Sequence, residues 1–165
     1  MTENFEFDEI TYALNLAAGE AGDVLFAARS SGLLHSEDGG ETWKDAYESL
    51  APPEALSTQA VVTSPDFKSE PTVFAGVAGG VVRSRDGGEN WYIASLPEPP
   101  PVVSCLAVSP NFLVDGVVLA GTMQDGVFRS ADRGTRFISW NFGLLDLAVL
   151  CMSMSPDYAT DETIY

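Results

Sequence analysis

The sequence predicts an all-β chain built from repeated four-stranded antiparallel sheets, and three observations carry that prediction. An eight-residue stretch, Ser36-Glu37-Asp38-Gly39-Gly40-Glu41-Thr42-Trp43, returns at 84–91 and again at 130–137. Short apolar runs flank each copy, and no long segment has the 3.6-residue period of an amphipathic helix. Prolines gather in the links, at Pro52-Pro53 and Pro97-Glu98-Pro99-Pro100-Pro101, where they interrupt no sheet ladder. A repeat of this length, with one turn motif among short strands, is the signature of a propeller blade.

The elements follow in order. The first repeat covers 10–50, with strands expected at 11–17, 24–29, 32–36 and 43–48 and the turn motif joining the last two. The second covers 58–97, with strands at 58–63, 72–77, 80–84 and 91–96. The third covers 102–142, with strands at 102–108, 117–121, 126–130 and 137–142. Residues 148–165 begin a fourth, with strand segments at 149–154 and 163–165. Three full blades and the start of a fourth are therefore expected in one incomplete propeller domain.

The turn motif has its own chemistry. An Asp opening a tight turn accepts backbone N–H groups two residues on, and the following Gly supplies a positive φ. The aromatic at the eighth position starts the next strand and covers the turn. Each such hydrogen bond contributes about 1 kcal/mol net, so the motif stabilises a blade. Its members are Ser36, Asp38, Gly40, Thr42 and Trp43, then Ser84, Asp86, Gly88 and Trp91, then Ser130, Asp132, Gly134 and Phe137. The third copy has Arg136 and Phe137 where the first has Thr42 and Trp43. Asp-Gly-Gly-Glu, at 38–41 and 86–89, also hints at a calcium loop, but the further alternating oxygen ligands and the late bidentate Glu are missing.

The motif resembles the Asp box, Ser-x-Asp-x-Gly-x-Thr-Trp, of the bacterial neuraminidase (BNR) repeats. These occur in sialidases, family 74 glucanases, sortilin-type receptors and photosystem II assembly factors. The resemblance implies a propeller in which the boxes are structural. Sialidases clamp the substrate carboxylate with an arginine triad, one member lying in an Arg-Ile-Pro-like motif of the opening blade, and this chain has no such motif. Its arginines at 29, 83, 85, 129, 133 and 136 cluster around the turns. Assembly factors of this family present a basic patch to their client, which a net charge of −16 opposes.

A second motif links strand one to strand two. Ser64-Pro65-Asp66-Phe67, Ser109-Pro110-Asn111-Phe112 and Ser155-Pro156-Asp157-Tyr158 recur, whereas the first repeat has Ala17-Ala18-Gly19-Glu20. Pro fixes φ, Asp or Asn bonds its own backbone, and the aromatic is expected to plug the gap between blades. This loop is expected at the end opposite the turn motif, the end that holds the pocket in enzymatic propellers. Along the first strands, Leu14, Leu16, Val61, Thr63, Leu106, Val108, Met152 and Met154 share one face. Mostly small residues share the other, which predicts sheets buried on both sides. Cys105 and Cys151 fall at equivalent positions of adjacent blades, too far apart for a disulfide, and are expected to be buried free thiols.

Composition narrows the function. With 24 acidic against 8 basic residues, the chain repels nucleic acid and anionic membrane, and any charged partner should be cationic. The acidic run Glu3, Glu6, Asp8, Glu9 does not resemble an export signal, so a cytoplasmic location is expected. The only histidine, His35, precedes the motif Ser as Arg83 and Arg129 do. It reads as an exposed strand residue, and no nucleophilic triad has support. No catalytic, cofactor-binding or metal-ligating residue is identified, and no cofactor is expected. The expected role is a non-catalytic binding or assembly scaffold for a protein or carbohydrate ligand. The alternative is part of a sialidase-like or glucanase-like glycoside hydrolase whose catalytic residues lie outside this segment. Because the sequence stops inside a repeat, it is expected to be the N-terminal part of a longer propeller. Its open blade edges are expected to favour self-association.

Overall fold

A computed structural model describes residues 9–20 and 22–165. The acidic positions 3–8 lie outside the described residues. Three antiparallel sheets follow one another along the chain, each with its strands in sequential order. The first contains β1 (Thr11–Ala18), β2 (Asp23–Arg29), β3 (Gly32–Ser36) and β4 (Lys44–Asp45). The second contains β5 (Thr58–Thr63), β6 (Val73–Val77), β7 (Gly80–Ser84) and β8 (Trp91–Ile93). The third contains β9 (Val103–Val108), β10 (Val118–Thr122), β11 (Val127–Ser130) and β12 (Ile138–Ser139). A fourth unit begins where Ser153 and Tyr165 exchange two backbone hydrogen bonds of 2.9 Å beside the Met154–Ile164 bridge. The array does not close.

The fourth strands are shorter than the sequence suggests, and they end in a shared pattern. After each strand one more residue bonds back, Ala46 to Leu33 O, Ala94 to Val81 O and Trp140 to Val127 O. The backbone then leaves the ladder. In the first sheet the Asp45 carboxylate accepts the Tyr47 N–H at 2.8 Å, which turns the chain away from β3. The Ser-Pro segments differ too, because two of them close into a single helical turn, α1 (Phe112–Asp115) and α2 (Tyr158–Asp161). Ser109 Oγ donates to Asp115 at 2.6 Å and accepts the Asn111 N–H at 3.1 Å, and Ser155 repeats this with Asp161 and Asp157. One turn is too short to print a helical period on the sequence.

The core lies at the joints between sheets. Phe26, Ala28 and Leu33 of the first sheet share a cluster with Val61, Phe67, Val73 and Trp91 of the second. Phe74 and Val81 of the second pack with Leu106, Phe112, Val118 and Phe137 of the third. The aromatic of each Ser-Pro segment meets the preceding sheet: Phe67 stands edge-on to Phe26 at 6.2 Å and Phe112 edge-on to Phe74 at 5.8 Å. Tyr158 packs with Leu119, which holds the matching position in β10. Glycines let first strands cross closely over the sheet before. A Cβ on Gly76 would come within 2.6 Å of Val103 Cγ1, and one on Gly121 within 2.7 Å of Val149 Cγ1.

Burial on both faces holds inside the array and fails at its ends. Val61 and Leu106 are 5% and 6% exposed, but the matching Leu14 and its neighbour Leu16 are 63% and 61% exposed, because no described sheet precedes β1. At the other end Cys151 is exposed and Cys105 half-buried, so the pair are free thiols but not buried ones. The small-residue face that carries Cys151 has no described sheet beyond it.

Candidate functional site

Each turn motif is a closed hydrogen-bond ring centred on its Ser. Ser84 is fully buried, its Oγ donates to Asp86 Oδ1 at 2.7 Å, and it accepts the N–H of Asp86 at 3.3 Å and of Gly88 at 2.9 Å. Asp86 accepts the N–H of Asn90 at 2.9 Å and that side chain's amide at 2.8 Å. Ser36 and Asp38 repeat the pattern on Gly40 and Thr42. Ser130 and Asp132 repeat it on Gly134, Thr135 and Arg136. The division of labour thus differs from the expected one, since the hydroxyl takes the N–H two residues on and the carboxylate reaches four. Asn90, which departs from the Thr of the first copy, supplies an equivalent donor. In the third copy Thr135 Oγ1 instead donates to Asp132 O at 2.8 Å.

The rings fix charge as well as shape. Donation by the Thr42 hydroxyl and N–H holds the Asp38 carboxyl well below the usual range. Partial burial works against ionisation of Asp86 and Asp132, but the hydrogen bonds from Asn90 and Ser84, and from Arg136 and Ser130, outweigh it and lower both. The indole N–H of Trp43 caps Gly40 O at 3.1 Å and that of Trp91 caps Gly88 O at 2.9 Å. Trp91 is 4% exposed and Trp43 38%, since among the described residues only the former has a sheet packed before it. Gly40, Gly88 and Gly134 have φ of 95°, 105° and 71°. Both carboxylate oxygens of Asp86 accept hydrogen bonds from its own turn.

The placement of the Ser-Pro loops corrects the sequence reading. In a sheet ordered one to four with antiparallel neighbours, the one-to-two loop and the three-to-four turn lie at the same end. They also touch, Gly87 N–H bonding Pro71 O at 2.8 Å and Arg133 N–H bonding Gly116 O at 3.1 Å. Arg83, Arg85, Arg129, Arg133 and Arg136 therefore stand at the end that holds these loops, whereas Arg29, which closes β2 and pairs with Gly32, lies at the opposite end of its sheet and not near a turn motif.

Arg83 shows what such an arginine does. It reaches from β7 across the joint, its guanidinium donating to Arg133 O and Thr135 Oγ1, each at 2.8 Å. Arg133 in turn pairs with Glu70 of the second sheet, donates to Leu113 O at 2.7 Å and lies over the Phe112 ring at 5.8 Å. His35 holds the place of Arg83 one joint earlier. It is half-buried rather than exposed, and its Nδ1 is enclosed with no hydrogen-bond partner.

Nearer the inner edge, β5 lies beside both β1 and β9. The ends of these strands and the Ser-Pro turns surround a concavity of about 400 Å³. Asn15, Thr63, Pro65, Val108, Pro110 and Met154 contribute to its wall, and no charged residue lines it. Thr63 Oγ1 donates to Asn15 Oδ1 at 2.9 Å and ties the first two sheets together there. Position along the strand did not reveal this surface, because it forms only when equivalent residues of successive sheets converge.

No family model and no curated protein matches the sequence. Solved structures do. An ancestral GH74 enzyme superposes with a TM-score of 0.70 at 17% identity, over 89% of this chain and 21% of that one. YCF48 bound to a D1 peptide gives a TM-score of 0.57 at 16% identity, over 90% of this chain and 48% of its own. PorZ, a surface component of the type-IX secretion system of Porphyromonas gingivalis, gives 0.61 at 12% identity, over 86% and 23%. The chain thus spans between about a fifth and a half of the length of these structures. Together with the sheet topology, the likeness shows an all-β array of propeller-type four-stranded sheets.

Proposed function

We propose that the chain is a non-catalytic Asp-box propeller segment that acts as a binding or assembly scaffold for a protein partner. The observation that carries this reading is the uncharged concavity at the converging ends of β1, β5 and β9. In a chain of net charge −16, a wall of Pro, Val, Thr, Asn and Met suits an extended polypeptide, whose amides can bond Asn15 and Thr63 while its apolar side chains meet the prolines. The three closed turn rings support the Asp-box assignment, since each repeats the same bonds through a Ser, an Asp and a Gly. That YCF48 has been seen with a bound peptide is in keeping with a peptide-binding use of such sheets.

The test is site-specific photo-crosslinking from positions 63 and 108 in cells that make the protein. The adduct is identified by mass spectrometry, and the affinity of the purified pair is then measured. A single polypeptide is expected, with binding lost on Val108→Arg. Hydrolysis of xyloglucan or of a sialoside by the purified chain, without a polypeptide adduct, would replace this reading by the glycoside hydrolase one.

A further inference from the structure

The joint between the first and second sheets differs from the next joint at three matched positions. His35 pairs with Phe26 in the sheet register as Arg83 pairs with Phe74. Gly87 stands third after its motif Ser, as Arg133 does. Gly22 stands three before Leu25, as Glu70 stands three before Val73, and Leu25 and Val73 are matched through their Ser36 and Ser84 partners. The second joint is filled by two guanidinium groups and a carboxylate. The first has a shorter ring and two residues without side chains. A cavity of about 720 Å³ opens in their place, lined among others by His35, Glu37, Phe67, Lys68, Gly87 and Glu89.

The fittings that hold arginine at the second joint have counterparts here. Arg83 donates to Arg133 O and to Thr135 Oγ1. The matching acceptors are Gly87 O and the carboxylate of Glu89, the fifth residue after its Ser as Thr135 is. A carboxylate in place of a hydroxyl makes the stronger, charge-assisted partner for a guanidinium. Arg133 lies over Phe112, and Phe67 is the matching ring in the wall of the cavity. Burial holds the His35 imidazole below its ordinary value, against the opposing pull of Glu37 and Glu89, which disfavours its cationic form. Lys68 is the one cationic side chain in the lining, against the carboxylates of Glu20, Glu37, Asp86 and Glu89.

We propose that this cavity binds an arginine side chain of a partner polypeptide, seated on Gly87 O and Glu89 as Arg83 is seated on Arg133 O and Thr135. The site is separate from the uncharged concavity and does not depend on what binds there. It gives an acidic protein a specific way to select basic segments, since a planar guanidinium can bond the carbonyl and the carboxylate together and still lie against an aromatic face.

The probe is Nα-acetyl-arginine methylamide, titrated into the isotopically labelled chain and followed by amide NMR. Saturable shifts are expected at His35, Gly87 and Glu89, with the uncharged citrulline analogue at least about tenfold weaker. His35→Arg fills the cavity from within as Arg83 fills its own joint, so this variant keeps the fold and loses the shifts. Glu89→Gln weakens binding by about threefold to tenfold. Val108→Arg, at the other surface, leaves the titration unchanged, which separates failure of this site from failure of the scaffold reading. Absence of shifts at these amides overturns the proposal. So does equal binding of the citrulline analogue, or undiminished binding by the His35→Arg variant.

Discussion

A Cβ built on Gly134 would stand 2.2 Å from Cε1 of Phe74, so the ring of one sheet occupies the space that a side chain on the next sheet's turn would need. Gly88 stands in the same relation to Phe26, at 2.9 Å, whereas a Cβ on Gly40 meets, among the described residues, only its own Trp43 at 3.7 Å. The turn glycine is thus chosen twice, for its backbone angle and as the socket for a phenylalanine.

Alanine at the three glycines separates those two demands. All three have positive φ, which costs about 1–2 kcal/mol in any L-residue. Gly134→Ala and Gly88→Ala add overpacking against a ring, which brings the loss to about 3 kcal/mol or more. Gly40→Ala shows only the first cost. Urea unfolding of the three variants gives the order, and equal losses would contradict the socket.

Ser84→Ala removes the acceptor of the Gly88 N–H inside a buried ring. The expected loss is about 2 kcal/mol, because the N–H is left unpaired away from water. Ser84→Thr, which keeps the hydroxyl, is expected to lose less by the same unfolding measurement.

Acid should unfold the array through its turn carboxylates. Asp86 and Asp132 have folded values lowered from the usual 3.8. The unfolded chain therefore binds more protons as pH falls, and the stability these groups contribute is full above that value and lost as pH falls through the folded ones. Melting temperatures followed from pH 7 downward should drop below about pH 4. Asp132→Asn should be less stable at neutral pH and show a shallower drop. A drop unaffected by that substitution would place the acid sensitivity elsewhere.

Leu14 and Leu16 project from one face of β1, more than half exposed. Such a face favours association, and the expectation is a concentration-dependent mass in sedimentation velocity. Leu14→Glu with Leu16→Glu should shift the distribution to monomer without lowering the melting temperature, since neither side chain is buried in the monomer. An unchanged distribution would assign association to another surface.

What was legible in the sequence was local. The Ser-Asp-Gly spacing within eight residues marked the turns, and β3, β5 and β7 coincide with their expected ranges because Gly or Thr opens and Ser or Thr closes each of them. What was not legible depends on neighbours. Lys44–Asp45 is only two residues long because the Asp45 side chain bends the backbone, a contact that the apolar pattern at 43–48 does not encode. Leu14 looks like Val61 in sequence, and only the absence of a described sheet before β1 exposes it. Motif order alone puts the two links at opposite ends of a sheet, whereas the count of antiparallel strands places Pro71 beside Gly87. His35 looked exposed because its partner in space, the turn around Gly87, lies some fifty residues away.

The most direct test of the account is amide hydrogen exchange at the three turn glycines, with and without millimolar calcium. If the turns are structural joints, Gly88 and Gly134 exchange far more slowly than Gly40, against which no phenylalanine packs among the described residues. Calcium then changes none of the rates. Equal exchange at all three would contradict the sockets and mean that the sheets are held together in some other way, and slowing by calcium would mean that the turns serve a bound ion.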